Sequence, residues 1–189
     1  MDWLNTLADL ISNRDNRVPI GEWSKTFVGW LTDNFEAFFR GVTVGLNFVL
    51  EGTVNALLAI PNVVLLVLIT AISYFLQRSW KLALFTFLGL LLVMNFDLWK
   101  GMVETLVLVL YITLASLMIG VTIGIICARR PVVYQMISPM LDLMQTLPTF
   151  VYLVPVLVFF GLGLAPALIA SIIFVVPTPI RLTYLGISQ

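Results

Sequence analysis

The chain has no histidine and a single cysteine, and only 11% of its 189 residues are charged. Each scarcity removes a class of chemistry. Without histidine there is no Ser–His hydrolytic pair and no imidazole-ligated metal centre. One thiol, Cys127, can neither close an intrachain disulfide nor build a thiolate metal site, and its place inside an apolar run reads as a small packed hydrophobe. Lys and Arg number 10 against 10 Asp and Glu, so no basic field draws the chain to nucleic acid. There is no GxxxxGK(S/T) phosphate loop, so ATP hydrolysis is not expected of this chain. Glu51, Asp97, Glu104 and Asp142 belong to different segments and form no carboxylate dyad along the sequence; Lys100 and Glu104, one helical turn apart, read as a local ion pair. The expectation is a non-enzyme without a metal or cofactor of its own.

Apolar residues make up 60% of the chain, concentrated in runs at residues 61–76, 82–96, 102–128 and 147–180. The run 102–128 carries one charge, Glu104, near its end. A helix crosses the hydrocarbon with about 20 residues, so these runs call for a bilayer. Residues 61–98 read as a transmembrane hairpin, with Trp80 and Trp99 at the interfacial positions where aromatic side chains collect. Ser116, Gly120, Gly124 and Ala128 recur every fourth residue, a smooth ridge for close helix packing. Pro148 and Pro155 interrupt the run after 147, Gly161 and Gly163 break it, and Pro177 and Pro179 interrupt its end, so these four latter positions read as hinges or kinks. Broken helices persist in membranes only where protein or a wet cavity covers the freed backbone groups. Gln145, Thr146, Pro148, Thr149, Tyr152 and Pro155 fall beside this break and are the candidate lining of a translocation pathway, with Tyr152 offering a π-face to a passing cation.

The first third is different. Residues 1–18 read as a polar tail with no apolar leader-like stretch. Residues 19–60 read as amphipathic helices. In the first, Trp23, Phe27, Trp30, Leu31, Phe35, Phe38 and Phe39 share a stripe, suited to the headgroup plane or to packing on protein. In the second, residues 41–60, Asn47, Glu51 and Asn55 recur on one face. That polar stripe favours an interfacial or protein-packed helix over a spanning one. If the runs alternate, Arg78, Arg129, Arg130 and Arg181 fall on one side of the membrane, expected to be cytoplasmic, with five spans and an extracytoplasmic tail.

From Leu141 the residues LDLMQTLPTFVYLVP, then FFGLG at 159–163 and PTPIRLT at 177–183, resemble the permease subunit of glycine betaine/proline-type ABC importers. The resemblance is close over 102–189 and looser over 23–76. It implies an all-α polytopic membrane protein with the type I importer permease-like (MetI-like) fold, of which 99–189 would be the N-terminal part of the core. The family's EAA-type coupling loop would begin within a few residues of Gln189. It also implies a homodimer of permeases in the bacterial inner membrane, a separate ABC ATPase subunit that binds ATP, and an extracytoplasmic substrate-binding protein. The substrates would be compatible solutes such as glycine betaine, proline betaine, choline or carnitine, moved by rigid-body rocking of helix groups against the Gly120/Gly124 ridge. The alternative is a non-conducting membrane scaffold; an ATP-independent channel or carrier is disfavoured by the lack of deep charged residues.

Overall fold

The structure, a computed structural model, describes residues 20–188, so the expectations for the polar tail lie outside the described residues. Every regular element among them is helical, as the all-α reading requires: α1 Ile20–Leu58, α2 Asn62–Gln77, α3 Trp80–Asn95, α4 Trp99–Arg129, α5 Pro131–Thr146, α6 Phe150–Phe160, α7 Leu164–Val175 and α8 Pro177–Ser188. Within α1 two helical stretches meet at a kink at Phe35 (φ −115°, ψ 15°), so the two helices expected before Pro61 join there and not at Gly41, and the second stretch runs on through that glycine. Gly41 does not break it, because a lone glycine inside a helix weakens it by only about 1 kcal/mol.

The chain divides into two compact units, one ending at Phe39 and the other starting at Arg40. In the first, Trp23, Phe27, Trp30, Phe35 and Phe38 are all exposed, with Phe27 stacked on Trp30 (6.5 Å between centroids) and Trp30 edge-on to Phe35 (6.4 Å).

Two clusters hold the second unit. Leu50 and Val54 of α1, Leu65 and Leu66 of α2, Leu90 of α3, Trp99, Val103 and Val107 of α4, and Leu168 of α7 form one. The α2–α3 hairpin is also joined by a hydroxyl pair, Ser73 to Thr86 (3.2 Å). Cys127, Leu141, Val176 and Ile180 form the other, joining α4, α5, α7 and α8. The sharp turns beside α2 and α3 use left-handed backbone at Arg78 (φ 49°) and Asp97 (φ 57°).

The most extensive helix contact is α4 on α8. Its cause is the small-residue ridge. A Cβ on Gly120 would lie 2.5 Å from Pro179 Cγ, and one on Gly124 would lie 2.6 Å from Thr183 Cβ and 2.9 Å from the Ile180 carbonyl oxygen. Partner numbers rise together along both helices, so α4 and α8 run parallel. Ser116, Gly120, Gly124 and Cys127 are buried, whereas Ala128 is half-buried; the buried stripe turns to Cys127 at its end.

Among the described residues three helices can cross a membrane by length and composition: Gly21–Leu58, Trp99–Arg129 and the joined Leu164–Ser188. The pair α5–α6, bent by 92°, supplies a fourth if it is one broken span. At 16 residues each, α2 and α3 are about 24 Å long against a hydrocarbon core of about 30 Å. The five spans expected from the apolar runs include these two short helices. At Pro177 and Pro179 the last apolar run passes from α7 to α8, with a turn at Val176 between the two helices. Pro177 opens α8, where its missing N–H is harmless, and the bonds Val176 N–H to Ile172 C=O (2.9 Å) and Ile180 N–H to Val176 C=O (3.3 Å) carry the helix across the junction.

Gly120→Ala should destabilise the purified protein by about 1–3 kcal/mol, because the methyl has no room against a proline ring. Gly186→Ala, where a Cβ meets nothing within 4 Å, should be neutral or slightly stabilising. Thermal unfolding in detergent compares the two, and equal Tm values would remove the ridge as the packing determinant.

Candidate functional site

The bend between α5 and α6 falls at residues 147–149, around Pro148. The residue before a proline is driven to extended backbone, and Leu147 sits there at φ −72°, ψ 138°. The α5 C-terminus then needs partners for its carbonyls. Tyr152 supplies one: its hydroxyl donates to the Met144 carbonyl (2.7 Å) and lies 3.2 Å from that of Leu143. Tyr152 therefore ties the two arms of the bend together through its polar end.

A ladder of side-chain contacts joins α5 to α8. Tyr134 stacks on Tyr184 with centroids 3.6 Å apart, Arg181 pairs with Asp142, and Gln145 Nε2 donates to Thr178 Oγ1 (3.2 Å). Numbers fall on one helix as they rise on the other, so α5 runs antiparallel to α8. The ladder explains why Asp142 and Arg181, two charges in an apolar region, lie together.

Inside this frame two adjoining cavities run along α4. One, about 500 Å³, is bordered by Thr113, Thr149, Phe150, Leu153, Ser171 and Phe174 among others. The second, about 410 Å³, is bordered by Thr113, Ser116, Gln145, Phe174, Thr178 and Pro179 among others. Thr113, Phe174 and Val175 line both, so the two form one groove. No ionisable side chain lines either; the polar atoms are hydroxyls and one amide. A separate cleft of about 470 Å³ collects Glu51, Asn55, Lys100, Glu104 and Gly163. It brings together two carboxylates that lie far apart in sequence, with Lys100 Nζ 3.7 Å from Glu104 Oε1. Among the described residues no group of three or more Cys, Asp or Glu side chains could hold a metal ion.

Of the pathway candidates singled out in the sequence, Thr149 and Gln145 border the groove, one in each cavity, and Ser116 and Pro179, read as packing and kink residues, border the second. Thr146, Pro148 and Pro155 are exposed and border neither cavity. Gly161 (φ 78°) and Gly163 (φ 139°) form the α6–α7 turn, in backbone that only glycine adopts without strain. Arg129 ends α4 and Arg130 follows it, both exposed. Because α4 and α8 are parallel, these arginines share an end of the unit with the α8 C-terminus, while Lys100, Glu104 and Gly163 meet at the other. Thr113, Ser171, Phe150 and Phe174 were not singled out from sequence. Thr113 had a signal, lying three residues before Ser116 on the ridge helix; the others border the groove only because α6 and α7 fold onto α4.

A helical membrane component built around a broken span and a wide, uncharged groove has the features of a transport permease. The family described as "Binding-protein-dependent transport system inner membrane component" matches residues 120–189. The chain is 40% identical over 173 residues, 92% of its length, to the glycine betaine transport system permease protein OpuAB of Bacillus subtilis. It is 38% identical over 91% of its length to the glycine betaine/carnitine transport permease protein GbuB of Listeria monocytogenes, and 36% identical over 91% to the glycine betaine/proline betaine transport system permease protein ProW of Escherichia coli. It spans 61%, 62% and 48% of those three relatives. The homologues of this chain are permease components of glycine betaine/proline betaine ABC importers, a family not known to be enzymatic.

Tyr152→Phe, which removes only the hydroxyl at the bend, should lower stability by about 0.5–1.5 kcal/mol. Chemical denaturation in mixed micelles measures it, and an unchanged midpoint would show that the hydroxyl does not support the bend.

Proposed function

We propose that this chain is the transmembrane permease component of an importer for glycine betaine or a related methylated amine such as proline betaine, choline or carnitine. The reading is carried by the 40% identity, across 92% of the chain, to a permease named for glycine betaine transport. In this reading a separate ATPase subunit binds ATP, an extracytoplasmic protein delivers the substrate, and a second copy of the permease completes the pathway. A non-conducting scaffold is not favoured, since the relatives described above are named as permeases.

The groove suits such cargo physically. A quaternary ammonium has no N–H to donate, so it needs no directed hydrogen-bond acceptor, and an apolar passage with aromatic faces suits it. Phe150 and Phe174 border the groove and can supply those faces, each worth about 0.5–2 kcal/mol to a passing cation. Gln145, Thr149 and the hydroxyls of Thr113 and Ser171 would solvate a carboxylate weakly. Weak, distributed contacts are what a conduit needs, because tight binding would slow release. The glycine contact supports a specific division of moving parts: α4 and α8 travel as one body, and the bend at Pro148 absorbs the motion. The end bearing Arg129, Arg130 and Arg181 is taken as cytoplasmic, the Gly161–Gly163 turn and the N-terminal tail as extracytoplasmic.

The test is ATP-dependent uptake of labelled glycine betaine by proteoliposomes holding the permease with its ATPase and binding protein. Uptake that requires all three supports the reading, and its absence with active partners overturns it. Ser171→Leu, which places a branched side chain in the groove, should reduce uptake about tenfold or more while the ATPase still copurifies. Unchanged uptake in that variant would exclude this groove as the route.

A further inference from the structure

The polar stripe on α1 is the motif that the transport reading leaves unused. Asn47, Glu51 and Asn55 lie on one face, and Thr43 extends it by a further turn. Two of these side chains reach across the fold to the same place. Thr43 Oγ1 donates to the Phe160 carbonyl (3.3 Å), and Asn47 Oδ1 accepts from the Ala165 N–H (3.1 Å). Phe160 is the last residue of α6 and Ala165 the second of α7. Between them lies only the short turn containing Gly161 and Gly163.

The chemistry is that of helix capping, supplied from another helix. The last carbonyls of α6 and the first N–H groups of α7 have no partner within their own helices. Gly163 is the residue at the α7 N-cap, and it has no side chain to offer. Nor could a serine or aspartate replace it freely, because its φ of 139° strains any residue with a Cβ. Ala165 is fully buried, so its N–H, left unpaired, would carry an uncompensated desolvation cost. Thr43 and Asn47, four residues apart and on one face of α1, satisfy one group on each side of the turn. Helix α1 therefore grips the turn by both of the helix ends that meet there.

This grip bears on the groove. Its walls include Phe150 and Leu153 from α6 and Ala170, Ser171 and Phe174 from α7. The angle between α6 and α7 sets its width, and that angle is set at the turn. We infer that Asn47, seconded by Thr43, is a positioning residue of the transport groove: α1 holds the α6–α7 turn and so governs how far the two walls stand apart. The inference rests on the proposed role of the groove for its consequence in transport, but not for the capping itself.

Hydrogen–deuterium exchange of the intact protein in lipid nanodiscs tests the capping directly. Asn47→Leu keeps the volume and loses the acceptor, and should speed exchange of the Ala165 amide about tenfold. Asn47→Asp keeps an oxygen at that position and should restore slow exchange. Thr43→Val, which removes one hydroxyl with little change in shape, should loosen the same turn and serves as the companion variant if Asn47→Leu does not fold. Slow exchange at Ala165 in both Asn47→Leu and Thr43→Val, or an Asp variant no better protected than the Leu variant, would overturn the assignment. In the reconstituted importer, Asn47→Leu should lower maximal uptake while leaving half-saturation by loaded binding protein unchanged, and Asn47→Asp should recover it. A raised half-saturation constant with full maximal uptake would refute the positioning role. If exchange responds as expected but the wild-type protein moves no solute, the capping stands and the transport reading falls.

Discussion

The close approach of α4 and α8 is the constraint on which the second unit depends. At Gly120 and Gly124 there is no room for a methyl group, and the two helix backbones meet where two larger side chains would hold them apart. In a bilayer apolar side chains gain little by leaving lipid for protein, so helices associate through van der Waals contact that small residues allow. The contact makes α4 and α8 parallel, and two parallel neighbours need the chain to travel back between them. That return is made by α5, by the bend at Pro148, and by α6 and the turn at Gly161 and Gly163. The broken helix and the groove are consequences of a topology that the glycines stabilise.

Once the chain is committed to that topology, its broken ends must be satisfied without water. The structure does this with side chains placed on other elements. Tyr152 covers the carbonyls at the end of α5, Thr43 covers one at the end of α6, and Asn47 covers an N–H at the start of α7. Each is a polar residue that looks out of place on an apolar helix until its backbone partner is known. The Asp142–Arg181 pair follows the same logic for charge, since an isolated ion in such surroundings is far less favourable than a pair. A protein of this kind places polarity where the backbone breaks and leaves the groove itself nearly neutral.

Several of these features were legible in the residues. The run 102–128 announced a spanning helix, and α4 is that helix. The i+4 recurrence of Ser116, Gly120 and Gly124 marked a face for close contact, and Pro148 marked the bend. Other features were not legible, for identifiable reasons. The polar stripe Asn47–Glu51–Asn55 argued for a helix at the interface or against protein, but periodicity reports only that a face is polar and not what it meets. Pro177 and Pro179 mark the junction of α7 and α8, but the residues alone did not say that the two helices stay joined as one candidate span. Tyr152 was read by its ring, and its hydroxyl holds the bend.

By itself the sequence determined that the chain is helical and apolar enough for a membrane, that it bends at Pro148, and which permeases it resembles, because hydropathy, proline position and local motifs are properties of contiguous residues. Only the tertiary structure decided which helix the glycine ridge meets, which side chains cap the broken ends, and which residues face the groove. Those depend on juxtapositions such as Asn47 with Ala165 and Gly124 with Thr183, which arise when distant segments pack and which no local pattern encodes.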